Sequence, residues 1–188
     1  IHSFFRFKPD VTPESARKRI RGEGAEIYRR LDAIVIDEVS MVRADLLDCV
    51  EKFLRLNGPY KKQWFGGIQM VFIGDLYQLP PVVTSAEKEI FTHRYETPYF
   101  FSAQVFKEET FKMEFIELEK VYRQTEADFI ALLNAIRNRS CDDTDMERLN
   151  QNWHPDFVSP EDRFYITLTS TNDLATIRNL EKLEALSG

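Results

Sequence analysis

The chain has 188 residues, 43% of them hydrophobic and 30% charged, with a net charge of −6. That composition is ordinary for a globular chain that buries a core, in one domain or one and part of a second. No apolar run approaches the roughly 20 residues of a membrane span, no secretory leader is visible, and no membrane partner is expected. Cys49 and Cys141 have no metal-ligand spacing, which makes a reduced, cytoplasmic setting the expectation.

In chain order, Thr12 is placed to cap a helix that has Pro13 and Glu14 in its first turn and runs to about Arg21. Gly22 and Gly24 then loosen the chain. Leu31-Asp32-Ala33-Ile34-Val35-Ile36 fits the near-continuous apolar run of a buried parallel strand, and it ends in Asp37 and Glu38. Leu46, Leu47, Val50, Phe53 and Leu54 repeat at helical spacing until Asn57-Gly58-Pro59 stops them. Lys61 to Gly67 reads as a loop whose Trp64 and Phe65 either pack on the sheet edge or meet a ligand.

Gln69 to Ile73 is a second strand-like run, followed by Gly74-Asp75-Leu76-Tyr77-Gln78-Leu79-Pro80-Pro81-Val82. Gly74 permits a sharp exit, and the proline pair stiffens the segment after Gln78. Pro98 to Phe101 leads into a short helix capped by Ser102, and Phe115, Ile116 and Leu118 suggest a strand leading to Arg123. Thr125-x-x-Asp128 and Thr144-x-x-Glu147 are helix starts, and Asp142, Asp143 and Asp145 form a surface turn that matches no calcium loop. Phe164 to Thr169 is strand-like. Leu174, Ile177, Leu180, Leu183 and Leu186 then mark one face of a last helix. His93 and His154 have no partners at ligand spacing. The alternation of strands and helices predicts an α/β fold with a mostly parallel sheet.

Acids at the carboxyl end of a parallel strand stand where open α/β sheets gather ligands. Asp37 suits a magnesium ion, held directly or through water, and Glu38 suits the orientation and deprotonation of an attacking water. The alternative is a solvated strand-end pair. Gln78, on its stiffened loop, both donates and accepts, and so could sense a terminal phosphate or a water. The alternative there is an ordinary proline-punctuated turn.

Asp37-Glu38-Val39-Ser40-Met41-Val42 resembles motif II of the superfamily 1B DNA helicases, the Pif-one and RecD group. Gly74 to Val82, preceded by Phe65-Gly66-Gly67-Ile68-Gln69, resembles motif III of that group. Ile1-His2-Ser3-Phe4-Phe5 is similar to motif Ia, and Val121-Tyr122-Arg123-Gln124 to motif IV; the run Phe129 to Arg137 also has the family's look. The resemblance covers residues 1 to about 137. It implies a RecA-like P-loop NTPase motor domain over residues 1–122 and the start of a second RecA-like helicase domain over 123–188.

It further implies ATP as substrate and Mg²⁺ as cofactor, with Asp37 as metal ligand. Asp37, Asp75, Gln78 and Arg123 would face the nucleotide, Glu38, Gln78 and Arg123 would be catalytic, and His2, Ser3 and Phe4 would meet single-stranded DNA. The implied activity is 5′-to-3′ translocation on single-stranded DNA, with duplex junctions as partners, in replication, repair or recombination. A RecD-like exonuclease subunit, a relaxase helicase domain and a non-catalytic binding module are the alternatives.

No G-x-x-x-x-G-K-[ST] phosphate loop is present, so an internal segment of a larger helicase, inactive by itself and lacking the phosphate-loop strand, is expected. Strand Ala33 to Ile36 is then expected to keep an unpaired edge. The acidic balance runs against a basic nucleic-acid footprint, which only Arg17-Lys18-Arg19 with Arg21, Arg29-Arg30 and Lys61-Lys62 locally offset. Aromatic stacking lowers the need for a basic whole.

Overall fold

A computed structural model describes residues 1–16, 19–120, 122, 126–160, 163 and 165–186. The elements in chain order are α1 (His2–Phe5), α2 (Glu26–Arg29), β1 (Ala33–Ile36), α3 (Ala44–Asn57), β2 (Gln69–Phe72), α4 (Ser85–Thr92), α5 (Ala127–Arg137), α6 (Asp143–Asn150) and α7 (Asn172–Ala185). They fall into two compact units, Ile1–Lys120 and Val121–Gly188.

In the first unit β1 and β2 pair in parallel, with Ala33 opposite Gln69 and Ile36 opposite Phe72. Two parallel strands need a crossover, and α3 supplies it. Its apolar stripe of Leu47, Val50, Phe53 and Leu54 is buried, and it forms the centre of the core. Side chains alternate across a strand, so Ile34, Ile36, Met70 and Phe72 join that core while Val35, Val71 and Ile73 face outward. Val35 is 59% exposed, and among the described residues β1 has β2 as its one strand neighbour.

Close backbone approach fixes the exit of α3. Gly66 adopts φ +67° against Gly58 and the Leu54 carbonyl, where a Cβ would overlap backbone atoms. Phe65 beside it is buried, and Trp64 lies under the Arg55 guanidinium at 3.9 Å while donating to Thr110 Oγ1 at 3.0 Å. Both aromatics of this loop therefore pack against their own unit.

Other expectations give way to local chemistry. The helix expected from Thr12 to Arg21 is a turn over Pro13–Ala16: Thr12 Oγ1 accepts from Ser15 N at 3.2 Å, and Thr12 N donates to Ser15 Oγ at 2.9 Å. These are the reciprocal bonds of a helix start, so the cap is present, but beyond it Ile20 N donates to the Asn57 side chain at 2.8 Å and residues 19–21 are not helical. Arg17 and Lys18 lie outside the described residues. Ser102 caps no helix; it is buried, accepts from Thr97 N at 3.2 Å, and sits inside a pair of 3₁₀ turns, Phe100–Ser102 and Gln104–Lys107. Phe115, Ile116 and Leu118 form no strand and are exposed; among the described residues the sheet consists of β1 and β2, and this run pairs with neither. Helix α4 was not expected, although Thr84-x-x-Glu87 carries the signature of the capping box seen there.

The second unit is helical among the described residues. Helix α5 begins after Glu126, Thr125 being outside the described residues, and Arg148 of α6 pairs with Asp128 of α5 at 3.7 Å. Helix α6 starts earlier than Thr144: Asp142 caps it by accepting from Asp145 N at 2.9 Å, so the expected surface turn is a helix start. Thr171 caps α7, whose Leu174, Ile177, Leu180 and Leu183 all stay exposed. Residues 165–169 form no strand, and Phe164 lies outside the described residues.

Candidate functional site

Two loops leave the carboxyl ends of the paired strands. The first runs from Asp37 to Arg43 and the second from Ile73 to Thr84. They are joined at the strand ends, where Ile73 N donates to Ile36 O and Val39 N to Ile73 O, each at 2.9 Å. Gly74 lies against the first loop so closely that a Cβ there would stand 3.0 Å from Val39 N. The absence of a side chain at Gly74 is what lets the loops touch.

Within the first loop, Asp37 Oδ1 accepts from Glu38 N at 2.8 Å. Glu38 then adopts φ 51°, ψ 43° and leads into the 3₁₀ turn Val39–Met41. A left-handed conformation in a residue with a side chain costs about 1–3 kcal/mol and clusters at functional sites. It holds the Glu38 carboxylate at the solvent-facing start of the turn while Val39 and Ser40 turn inward and are buried.

In the second loop Asp75 organises its own turn. Its Oδ1 accepts from Tyr77 N at 3.0 Å, its carbonyl from Gln78 N at 3.0 Å, and its Oδ2 from Gln78 Nε2 at 3.4 Å. Asp75 thus presents Gln78, and part of its own acceptor capacity is already used. Pro80 and Pro81 follow and restrict the backbone after it.

The loops enclose one open cavity of about 730 Å³, lined by Glu38, Ser40 and Met41 from the first and Tyr77, Gln78, Leu79 and Pro80 from the second. Glu38 and Gln78, 40 residues apart in sequence, therefore share a cavity. Ser40 Oγ is fully buried at this cavity and has no hydrogen-bond partner among the described residues. In sequence it stands out only as a member of the Asp37–Val42 run, with no role of its own. Asp37 and Asp75 adjoin the cavity without lining it, and Arg123 lies outside the described residues.

The donor set bears on the metal. Among the described residues no group of three or more His, Cys, Asp or Glu side chains could hold an ion. Mg²⁺ is commonly held by one or two carboxylates together with water and substrate phosphates, so Asp37 alone fits that mode and does not fit an all-protein cage.

His2, Ser3 and Phe4 stand exposed on α1, although the Phe4 ring also meets Phe5 and Tyr28 edge-on with centroids 4.9 and 5.6 Å away, and the His2 ring meets Phe7 at 6.5 Å. Phe5 anchors the helix by inserting between Phe7, Tyr28 and Phe53, with ring centroids 5.3, 6.2 and 5.4 Å away. Tyr28 Oη donates to Phe4 O at 2.8 Å, and burial raises its phenol pKa above the ordinary value. The exposed His2, Ser3 and Phe4 side chains are thus carried on a fixed backbone.

A family model described as a PIF1-like helicase matches residues 1–147. The chain belongs to the PIF1-like helicases. The ATP-dependent DNA helicase PIF1 of Saccharomyces cerevisiae (strain YJM789) is 36% identical over 129 residues, 67% of this chain and 14% of that protein. ATP-dependent DNA helicase RRM3 of Saccharomyces cerevisiae (strain ATCC 204508 / S288c) is 32% identical over 161 residues, 86% of this chain and 21% of that protein. Among solved structures, Pif1 helicase from Bacteroides in complex with ADP-AlF3 and single-stranded DNA superposes with a TM-score of 0.85 at 34% identity, covering 97% of this chain and 42% of that one. Pif1 helicase from Candida albicans superposes with a TM-score of 0.78 at 28% identity, covering 100% of this chain and 40% of that one. The PIF1-like fold with its RecA-like domains is therefore the fold of this chain, which spans about a fifth or less of these two curated relatives.

Proposed function

We propose that the protein containing this chain is an ATP-dependent DNA helicase motor that couples hydrolysis to 5′-to-3′ movement on single-stranded DNA and to the opening of duplex junctions. The observation that carries this reading is the shared cavity of Glu38 and Gln78 at the carboxyl ends of two parallel strands. Membership of the PIF1-like helicases supports it. The reading sets the protein in the cytoplasm, in DNA replication, repair or recombination, and the two unpaired thiols Cys49 and Cys141 suit a reducing compartment.

The chemistry divides among the residues by position. Glu38, fixed in its left-handed conformation, orients the attacking water and accepts its proton. Gln78, turned by Asp75, hydrogen-bonds the terminal phosphoryl group and the water. Asp37 would hold Mg²⁺, directly or through water; when bound, that ion neutralises charge on the phosphates. Arg123 would face the same phosphoryl group and stabilise charge on its oxygens. Ser40 Oγ, without a partner among the described residues, offers a donor and an acceptor at the cavity wall. On α1, His2, Ser3 and Phe4 would contact the DNA strand.

The test is Glu38→Gln, which keeps size and hydrogen bonding but removes the base. ATP and DNA binding are expected to persist while DNA-stimulated turnover falls by at least about a hundredfold, the lower end of general-base catalysis. Turnover near the unmutated rate would refute the motor reading of this site.

A further inference from the structure

We propose that Arg43 is a positioning residue that ties the Glu38 loop to the Gln78 loop and sets the spacing between their functional groups. The inference rests on the proposed reading of Glu38 and Gln78 as a nucleotide-hydrolysing pair.

The two loops are already joined at the strand ends, through Val39 N and Ile73 O. Arg43 joins their far ends. It closes the first loop, where Ala44 N donates to Pro98 O at 3.0 Å and holds the backbone. Its guanidinium grips Asp45 on one edge, Nε to Oδ1 at 3.0 Å and Nη2 to Oδ2 at 2.6 Å. The remaining Nη1 donates to Glu87 Oε1 at 2.9 Å, and the guanidinium carbon stands 5.4 Å from the Phe91 ring centre.

Glu87 is the residue that terminates the second loop. Its Oε2 accepts from Thr84 N at 3.1 Å and from Thr84 Oγ1 at 2.6 Å, closing the capping box of α4. One carboxylate therefore serves both loops, with Oε2 holding the end of the Gln78 loop and Oε1 holding Arg43. Between Thr84 and Gln78 lie Leu79-Pro80-Pro81-Val82-Val83, and the prolines stiffen that stretch. A shift at Thr84 is passed toward Gln78 instead of being absorbed.

Exposed ion pairs contribute little stability because water screens them and the side chains lose freedom. Arg43 is half-buried, and its planar fork is set by partners on three sides. Its effect is accordingly on geometry more than on net stability. Lysine has three donors but on a single nitrogen, so it could not reproduce the two-point grip on Asp45 while also reaching Glu87.

The experiment uses the natural protein containing this chain, with Arg43→Ala, Arg43→Lys and a control, Arg94→Ala, which breaks a separate ion pair with Glu14. Hydrogen exchange of the peptide Asp75–Thr84 is measured beside DNA-stimulated ATP hydrolysis. Arg43→Ala should speed exchange of that peptide by about tenfold as local opening becomes easier. It should lower kcat by about 10- to 100-fold and leave the ATP KM within about threefold, as expected when reacting groups are misplaced by up to an ångström. Arg43→Lys should fall between, and Arg94→Ala should match the unmutated protein on both readouts.

Unchanged exchange or unchanged kcat in Arg43→Ala overturns the proposal, as does an equal loss in Arg94→Ala. If the unmutated protein hydrolyses no ATP, the proposed function is what fails, and the exchange measurement still decides whether Arg43 holds the loop.

Discussion

Gly74→Ala probes the contact on which the site depends. The added Cβ would stand 3.0 Å from Val39 Cγ1, 3.0 Å from Val39 N and 3.1 Å from Ser40 N. Carbon contacts settle near 3.5–4.0 Å, so the loops must separate by about 0.5 Å. Overpacking of this kind costs about 1–3 kcal/mol. Stretching the 2.9 Å bond from Val39 N to Ile73 O adds about 0.5–1.5 kcal/mol. Restricting the unfolded chain returns about 0.4–1 kcal/mol, which leaves a net loss near 2 kcal/mol. For a unit of this size that is a fall in Tm of about 6–12 °C. Turnover should fall further than stability implies. A 1 Å misplacement can cost about 10²-fold, so half of it should cost about tenfold at a temperature where the variant is folded. The assays are a thermal melt by circular dichroism of this chain and ATP hydrolysis by the protein containing it. A variant with unchanged Tm and unchanged kcat would refute the claim that Gly74 sets the approach of the loops.

Three further outcomes are expected. Arg123→Ala should lower DNA-stimulated ATP turnover, by up to about 10³–10⁵-fold if it acts as an arginine finger, with nucleotide binding retained; a rate near the unmutated one removes Arg123 from the mechanism. The Thr84 hydroxyl, and after it the Arg43 guanidinium, hold the Glu87 carboxyl at about 2, below its ordinary 4.5. A lowered acid stabilises the fold above pH 4.5 and loses that contribution as pH falls toward 2, so the Tm advantage over Glu87→Gln should shrink across that window; at this exposure it is under about 1 kcal/mol. Burial pushes the Cys49 thiol up to about 12, so a thiol reagent at neutral pH should label the half-buried Cys141 and spare Cys49 until the chain is unfolded.

The sequence by itself determined the elements whose residues act on near neighbours. The apolar runs gave β1 and β2, helical spacing gave α3 and α7, and motif order gave the family. Asp37, Glu38 and Gln78 could be picked out as candidates because each follows a strand in a local pattern, and Glu38 and Gln78 line one cavity. At Thr12 the cap formed as its local pattern indicated, but a distant side chain, Asn57, takes the Ile20 N–H, and the expected helix is a turn over Pro13–Ala16. The runs at Phe115–Leu118 and 165–169 have strand-like composition but pair with no strand among the described residues, and a strand exists only when its backbone groups find another strand.

Tertiary structure alone decided the rest. Arg43 and Glu87 are 44 residues apart, and neither stands out by local pattern as the link between two loops. Gly74 reads as a flexible exit until Val39 is seen against it, and Ser40 becomes notable only once the fold has buried its hydroxyl at the cavity. Periodicity and capping report forces that act over a few residues. The spacing of Glu38 and Gln78 is set by contacts that exist only after α3 has brought the two strands together.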